Sequence, residues 1–353
     1  MSVSKESRIC SFVLLFVGLL FLGFLIIYAG TKEVLSLMYD HKSAFIVVAL
    51  CEISILLIWS LRWLYITRYA GVSLTREESL VLTGALSFVN NITPLDRSGG
   101  ELVKVYGTKK YRKDASTIDV GSALVCEKII ETSLVVSLLF VFLVYFLGKG
   151  APIHFLEFVL ITIISTVFIV LCFVFIFHRS FLTSFFRNIL KKLGVDATDA
   201  HILSFKEKTK GLITSKKASL SCIITSSLYW IVEFFRPFFV LVIFGENPLF
   251  HKVVISLLLA NVFSSFSGIP GGVGAQESIR VVLYTNYVGI PLDIAVSAVL
   301  IERIAPLIIA LICGFCVTSL FGMKKISLIE RSKKESVLSL DQEGEHCASV
   351  SDS

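Results

Sequence analysis

Charge is scarce in this chain. Only 17% of its 353 residues are Asp, Glu, Lys or Arg, against 55% hydrophobic, and the mean hydropathy is +0.82. A soluble domain carries about a quarter charged residues, so this composition excludes one and requires a polytopic membrane protein. Other absences narrow the chemistry. The eight cysteines are scattered singly and mostly inside apolar runs, which is the spacing of neither a disulfide framework nor a zinc site. The one close pair, Cys313 and Cys316, falls in an apolar segment where cysteine behaves as a small hydrophobe. The six histidines are isolated, and the chain has no Walker motif, no G-x-S-x-G and no H-E-x-x-H. A lone D-x-x-D, Asp196 to Asp199, reads as a solvated turn in a basic loop. No catalytic residue, metal, cofactor or ATP coupling is therefore expected.

Long apolar runs take the place of these features. A hydrocarbon core about 30 Å thick needs about 20 apolar residues per helix. Segments 9 to 29, 43 to 66, 116 to 146, 154 to 177, 219 to 244 and 292 to 320 meet that length. The first follows Lys5 and Arg8, but its length and the lack of an A-x-A site make it an uncleaved span rather than a signal peptide. Two further apolar regions, 79 to 113 and 250 to 289, are interrupted by Pro and Gly at Thr93 to Gly100 and at Gly268 to Gly274. Each half is too short to cross. Each region is expected to form a re-entrant hairpin, whose irregular turn must be buried in protein or line a cavity.

Lys and Arg set the orientation. With the N-terminus in the cytoplasm, the inner segments hold 22 of the 33 basic residues, and the outer loops hold only Lys32, Lys42, Lys149 and Lys252. This bias obeys the positive-inside rule. It puts both termini in the cytoplasm, the first hairpin on the inner side and the second on the outer side, so the two repeats are inverted. The expected fold is an all-α polytopic membrane protein of the inverted-repeat transporter type, with six spanning helices and two oppositely oriented re-entrant hairpins. The membrane domain covers 1–322, with repeat one at about 43–177 and repeat two at about 219–320. Between them, the basic loop 178–217 is expected to lie on the anionic membrane surface, and the polar tail 323–353 to be disordered. The net charge of +6 is thus a topology signal and does not indicate nucleic acid. The sequon Asn91-Ile-Thr93 falls on the cytoplasmic side and is discounted.

One pattern occurs twice. Pro94 is followed seven positions on by Glu101 and three later by Lys104; Pro270, Glu277 and Arg280 repeat those spacings. An acid–base pair follows each copy, Glu127-Lys128 and Glu302-Arg303, inside an apolar segment. Charges at bilayer depth cost about 2.5–3.5 kcal/mol each on insertion scales, so they are expected to face partners or a watery cavity. Glu127 and Glu131 share a helix face at i, i+4, while Glu233 with Arg236 and Glu277 with Arg280 have the i, i+3 spacing of a pair. Such pairs can also simply hold a bundle together. Arg62, beside Trp63 near the inner end of its segment, reads as a snorkelling side chain.

The hairpin tips allow two readings. Ser98-Gly-Gly-Glu101 has the form of a capping box, and Gly274-Ala-Gln-Glu277 keeps the acid, so both acids could serve as helix caps. Alternatively, two half-helices that start near mid-membrane offer free N–H groups and positive dipole ends to an anion. Glycines 99, 100, 271, 272 and 274 would let a phosphate oxygen approach the backbone. Arg97, Lys104, Lys128, Arg280 and Arg303 would then supply positive charge. Glu101, Glu127, Glu277 and Glu302 would take a cationic headgroup or a coupling proton, with Glu131, Glu233 and Arg236 as secondary candidates.

At these residues the chain resembles the flippase-like transmembrane family, the membrane part of lysylphosphatidylglycerol synthase (multiple peptide resistance factor). The matching motifs are Pro94 to Glu101 with Lys104, the Pro-Gly-Gly-x-Gly-x-x-Glu stretch from Pro270 to Glu277, and the two acid–base pairs. The likeness runs from about residue 8 to 322. It implies a lipid or glycolipid flippase, since family members are linked to aminoacylated phosphatidylglycerol, to polyprenyl-linked sugars in archaeal surface glycosylation, or to hopanoids. The expected partners are anionic or zwitterionic phospholipids or a polyprenyl-phosphate glycolipid, with a homo-oligomer left open. The synthase reaction belongs to a large soluble domain after the membrane part. Only a short polar stretch follows Met323 here, so aminoacylation by this chain is not expected. The competing readings are a membrane glycosyltransferase or polyprenyl-phosphate sugar synthase, a lipid-synthase subunit, and a non-transporting scaffold in envelope biogenesis.

Overall fold

The computed structural model describes residues 23–24, 27–92, 98–149, 163, 167, 199–266 and 274–316, and among these no strand occurs. The helices are α1 (Thr31–Asp40), α2 (Ser43–Tyr69), α3 (Arg76–Ile92), α4 (Ser98–Tyr111), α5 (Thr117–Lys149), α6 (Asp199–Thr214), α7 (Lys216–Ile243), α8 (Phe250–Phe266), α9 (Ala275–Leu283) and α10 (Leu292–Cys316). A single π turn, Tyr284–Val288, extends α9 and closes on Gly289 at φ 92°. The all-α expectation holds. Helices α2, α7 and α10 are long and apolar enough to cross a membrane, and α5, at 33 residues, covers the run read at 116 to 146. The runs at 9 to 29 and 154 to 177 lie almost wholly outside the described residues, as does the tail.

Helix α2 shows how the sequence makes a membrane helix with polar contents. Ile46, Leu50, Ile53, Leu57 and Leu61 recur every three or four residues and are exposed, while Glu52, Ser60 and Arg62 are buried. Apolar side chains thus face outward and charge faces inward, the reverse of a soluble amphipathic helix.

The two halves follow the same order: a long helix, a packed pair of shorter ones, and another long helix. Repeat one is α2, α3 with α4, then α5; repeat two is α7, α8 with α9, then α10. The leading helices, α2 and α7, lie along each other and run antiparallel. Ala44 and Val48 share a core with Val240 and Leu241, Ile55 with Tyr229 and Trp230, and Trp63 and Ile66 with Ala218 and Cys222. Part of the basic loop forms α6, which packs on α5. There Ser122 donates to the Phe205 carbonyl at 3.3 Å, Lys208 pairs with Asp119, and Lys206 is buried while Lys208 and Lys210 stay exposed.

Glycine sets the closeness of α3 to α4. A Cβ on Gly100 would lie 2.6 Å from the Leu86 carbonyl oxygen and 2.5 Å from Asn90 Oδ1, and one on Gly107 would run into the Leu82 side chain. Gly100→Val is expected to lower stability by about 1–3 kcal/mol through overpacking. Gly211→Ala, where a Cβ meets nothing within 4 Å, is expected to raise it slightly through the better helix propensity of alanine. Thermal denaturation of the two purified variants checks the pair; equal effects would contradict the close approach.

Candidate functional site

Repeat one gathers its charges around Glu127 of α5, which is 1% exposed. Its carboxylate accepts Arg62 Nε of α2 at 2.9 Å and Lys104 Nζ of α4 at 2.9 and 3.1 Å. Arg62 also reaches Glu131 at 3.4 Å and donates to Ser226 Oγ of α7 at 3.1 Å. Lys104 sits 4.2 Å from the centre of the Trp63 ring, a cation–π contact, and lies 3.7 Å from Glu101. Trp63 is fixed in turn by its Nε1 donating to Thr108 at 3.2 Å. Lys128 closes the group, bridging Glu101 at 2.6 Å and Glu131 at 3.4 Å.

Repeat two centres on Glu302 of α10, whose side chain is 0% exposed. Arg280 of α9 meets it at 2.5 Å and also donates to the Tyr284 hydroxyl at 2.8 Å. Arg236 of α7 lies 3.9 Å from Glu302, 2.8 Å from Glu233 and 3.3 Å from Glu52 of α2. Its neighbour Pro237 lacks the N–H that would bond the Glu233 carbonyl, which loosens α7 at this pair. Arg303 pairs with Glu277 at 3.2 Å, and the other Glu277 oxygen accepts the Gly274 N–H at 2.7 Å at the start of α9. Gly274 has φ 84°, a conformation glycine adopts without Cβ strain.

The two clusters are wired alike. Lys104 on Glu127 corresponds to Arg280 on Glu302, Lys128 on Glu101 to Arg303 on Glu277, and Arg62 to Arg236. Each packed pair is also pinned by an asparagine: Asn90 Oδ1 accepts Gly100 N–H at 2.9 Å, and Asn261 Oδ1 accepts Gln276 Nε2 at 2.5 Å. Each leading arginine then reaches across to the other repeat, Arg62 to Ser226 and Arg236 to Glu52. The packing is antiparallel, so these two cross-links sit on either side of the Ile55–Tyr229 packing at the middle of the α2–α7 contact.

A cavity of about 130 Å³ lies between the repeats, lined by Glu52 and Trp59 of α2, Asn90 of α3, Glu233 and Arg236 of α7, Gln276 and Arg280 of α9, and Glu302 and Arg303 of α10. Each water needs roughly 10–15 Å³ of such space, so several fit. Four buried atoms of these lining residues have no hydrogen-bond partner: Trp59 Nε1, Arg236 Nε, Arg280 Nε and Glu302 Oε1. Donors and one acceptor left over around this space suit a polar group with both anionic and cationic parts.

Several expectations change. Arg62 does not snorkel: it is 3% exposed and held by two carboxylates, because a partnered guanidinium inside is better placed than a lone one at the edge. Glu277 and Arg280 do not pair despite their i, i+3 spacing; each finds a closer partner on α10. Glu101 turns to Lys128 and Lys104, while Glu277 caps its helix. Lys104 and Arg280 are not bare positive charges, since each is matched by a buried acid. Gly99 and Gly100 fall in the first turn of α4, whereas Arg97, Gly271 and Gly272 lie outside the described residues. Glu52, Asn90, Asn261 and Tyr284 join the site without being singled out by the sequence motifs. Glu52, an acid inside an apolar run, carried the same signal as the others.

Fold and site together define a multi-pass helical membrane protein, built of two like-wired charged repeats about a polar cavity. The chain belongs to the family described as the lysylphosphatidylglycerol synthase TM region, whose model matches residues 13–314. It is similar to a UPF0104 membrane protein of Pyrococcus horikoshii, 24% identical over 308 residues that span 83% of this chain and 92% of that one. A UPF0104 membrane protein of Methanothermobacter thermautotrophicus is 23% identical over 310 residues, with 83% and 90% covered. Another from Methanocaldococcus jannaschii is 20% identical over 316, with 86% and 93% covered. No solved structure matches the chain.

Proposed function

We propose that this chain moves a phosphate-bearing lipid or glycolipid between the leaflets of the cell membrane. The observation that carries the reading is the polar cavity between the repeats, where the charge cluster of repeat two faces Glu52, Trp59, Ser87 and Asn90 of repeat one, beside a like-wired cluster around Glu127. Further support comes from helix length. At 1.5 Å per residue, α4 with 14 residues and α9 with 9 are too short for a core about 30 Å thick. In this reading α3–α4 and α8–α9 are the re-entrant hairpins, and their opposite orientation makes the transporter an inverted repeat with cytoplasmic termini. The family name, tied to phosphatidylglycerol chemistry, points to the same ligand class.

Mechanistically, the ion pairs act as the closed state. Lys104 is paired with Glu127 and Arg280 with Glu302. A headgroup phosphate takes over one base at a time, aided by the backbone at Gly99, Gly100, Gly271, Gly272 and Gly274 and by Arg97, Lys128 and Arg303. The acids released from pairing, Glu101, Glu127, Glu277 and Glu302, receive a cationic headgroup. Glu131, Glu233 and Arg236 hold the frame, and the acyl chains stay in lipid. Because each pair is exchanged rather than simply broken, no charge is left bare at bilayer depth.

The test is translocation in proteoliposomes, using fluorescent phospholipids and polyprenyl-phosphate lipids, for the native chain, Lys104→Ala and Arg280→Ala. Native activity that falls at least tenfold in both variants supports the reading. Failure of the native chain to move any lipid class sinks it, in favour of a sugar-transferring enzyme or a scaffold.

A further inference from the structure

A second cavity, of about 250 Å³, lies away from the charge clusters, where the linker between the repeats meets their leading helices. Its walls come from four helices: Tyr69 at the end of α2, Asp119 and Ser122 of α5, Lys208 and Gly211 of α6, and Ser215 at the entry to α7. Each water needs roughly 10–15 Å³ of such space, so the cavity has room for a group the size of a phosphodiester. A basic loop that merely lay on a membrane would turn its whole length outward. Here α6 packs on α5 with Ile202, Thr209 and Leu212 buried, and the cavity runs along its Lys208 to Leu212 stretch.

The polar side of this space suits an anion. Tyr69 and Ser215 bring hydroxyls and Lys208 an ammonium, and the Ser215 hydroxyl is not spent on capping α7. Among the described residues the lining has one acid, Asp119, which Lys208 pairs with. The exposed bases Arg68, Lys210, Lys216 and Lys217 stand within two positions of lining residues in the chain, against one exposed acid, Glu207. The apolar side makes that anion part of a lipid. Leu61, Tyr65 and Tyr69 recur every four residues on α2 and are 40–42% exposed, so the outward stripe of this membrane helix runs into the cavity, with tyrosine at the level where headgroups lie. On α7, Lys217, Leu220 and Ile224 share an exposed face in the same way. A water-soluble anion would meet only the basic end; a phospholipid meets both.

We propose that this cavity holds the headgroup phosphate of an anionic phospholipid from the adjoining leaflet, as a fixed partner and not as cargo. The phosphate sits at Lys208 and Ser215, and an acyl chain lies along Tyr65 and Leu61. Because the walls come from both leading helices and from the linker, the bound lipid ties repeat one to repeat two at this end of the α2–α7 contact. The site is separate from the cavity between the repeats and does not depend on the transport reading.

Native mass spectrometry of the full chain tests this, with phosphatidylglycerol, phosphatidylcholine or glycerol phosphate titrated into the detergent-solubilised protein. One phosphatidylglycerol is expected to be held more tightly than phosphatidylcholine, and glycerol phosphate to bind far more weakly than either. Lys208→Ala is expected to raise the phosphatidylglycerol concentration for half occupancy about fivefold, the contribution of one lysine near an anionic surface. Lys113→Ala, which removes an exposed base outside the lining, is expected to leave it unchanged. Gly211→Leu narrows the cavity at a helix position where a Cβ meets nothing within 4 Å. It should weaken binding while the denaturation midpoint is kept, which guards against a Lys208 variant that merely misfolds. Equal binding of the two phospholipids, glycerol phosphate binding as tightly as lipid, or equal effects of Lys208→Ala and Lys113→Ala overturns the proposal. So does loss of the bound lipid in Arg280→Ala but not in Lys208→Ala, which would put it between the repeats instead.

Discussion

Replacing Glu127 with alanine is expected to cost about 3–5 kcal/mol of stability, the range found when one partner of a buried ion pair is removed. Glu127 is the shared acceptor of Arg62 and Lys104, whose side chains are 3% exposed and so shielded from bulk solvent. The truncation therefore strands two cations at once. Arg62 keeps only Glu131 at 3.4 Å and Ser226, and Lys104 keeps the Trp63 ring and Glu101 at 3.7 Å. Lys128 is the internal comparison. It is 45% exposed at the side chain despite its 2.6 Å contact with Glu101, and each acid it would leave keeps another cation, Glu101 with Lys104 at 3.7 Å and Glu131 with Arg62 at 3.4 Å, so Lys128→Ala is expected to cost less, about 1 kcal/mol. Denaturation midpoints in nanodiscs decide the matter: equal losses for the two variants would show that Glu127 is not the centre of its cluster.

Arg236→Ala is expected to have a similarly large effect for a different reason. Its guanidinium stands among Glu233, Glu52 and Glu302. Its removal takes a shared cation from three buried acids, again about 3–5 kcal/mol. Removing an acid from the same group relieves repulsion rather than adding it, so Glu233→Ala is expected to be the milder change. In the double variant the two losses should fail to add, with a coupling of about 0.5–3 kcal/mol. Additive losses would mean that the 2.8 Å pair contributes nothing.

Much of this arrangement is legible in the sequence, and the limit lies in how far apart the partners are along the chain. Apolar run length gives the long helices, because a helix that crosses lipid must be apolar over its whole length. The doubled Pro–Glu–base motif gives the repeats, and the i, i+3 spacing of Glu233 and Arg236 gives their pair, since both are local. Arg62 is the contrasting case. Its neighbours, with Trp63 beside it, suggest a side chain reaching for the membrane edge, whereas its actual partners are Glu127, Glu131 and Ser226 on two other helices. Glu277 and Arg280 fail in the same way: local spacing makes them candidates for each other, and α10 brings better ones. Nor does either motif foretell that α2 and α7 would lie antiparallel with an arginine of each reaching across to the other.

The pairing also changes the meaning of the hairpin bases. Read from sequence, Lys104 and Arg280 are free charges waiting for phosphate. In the folded chain they are matched, so binding is an exchange of one anion for another, and specificity depends on whether the ligand can replace a carboxylate without leaving it unpaired.

The most direct test of a two-sided cavity is cysteine accessibility at Ser87, which is 3% exposed and lines the cavity. Ser87→Cys, in a background lacking the native cysteines, is treated in sealed proteoliposomes with a membrane-impermeant thiol reagent added from the inner face or from the outer face alone. Modification from both faces, slowed by the transported lipid, is the expected result. Modification from neither face, or from one face only, would contradict a cavity that opens alternately to the two sides.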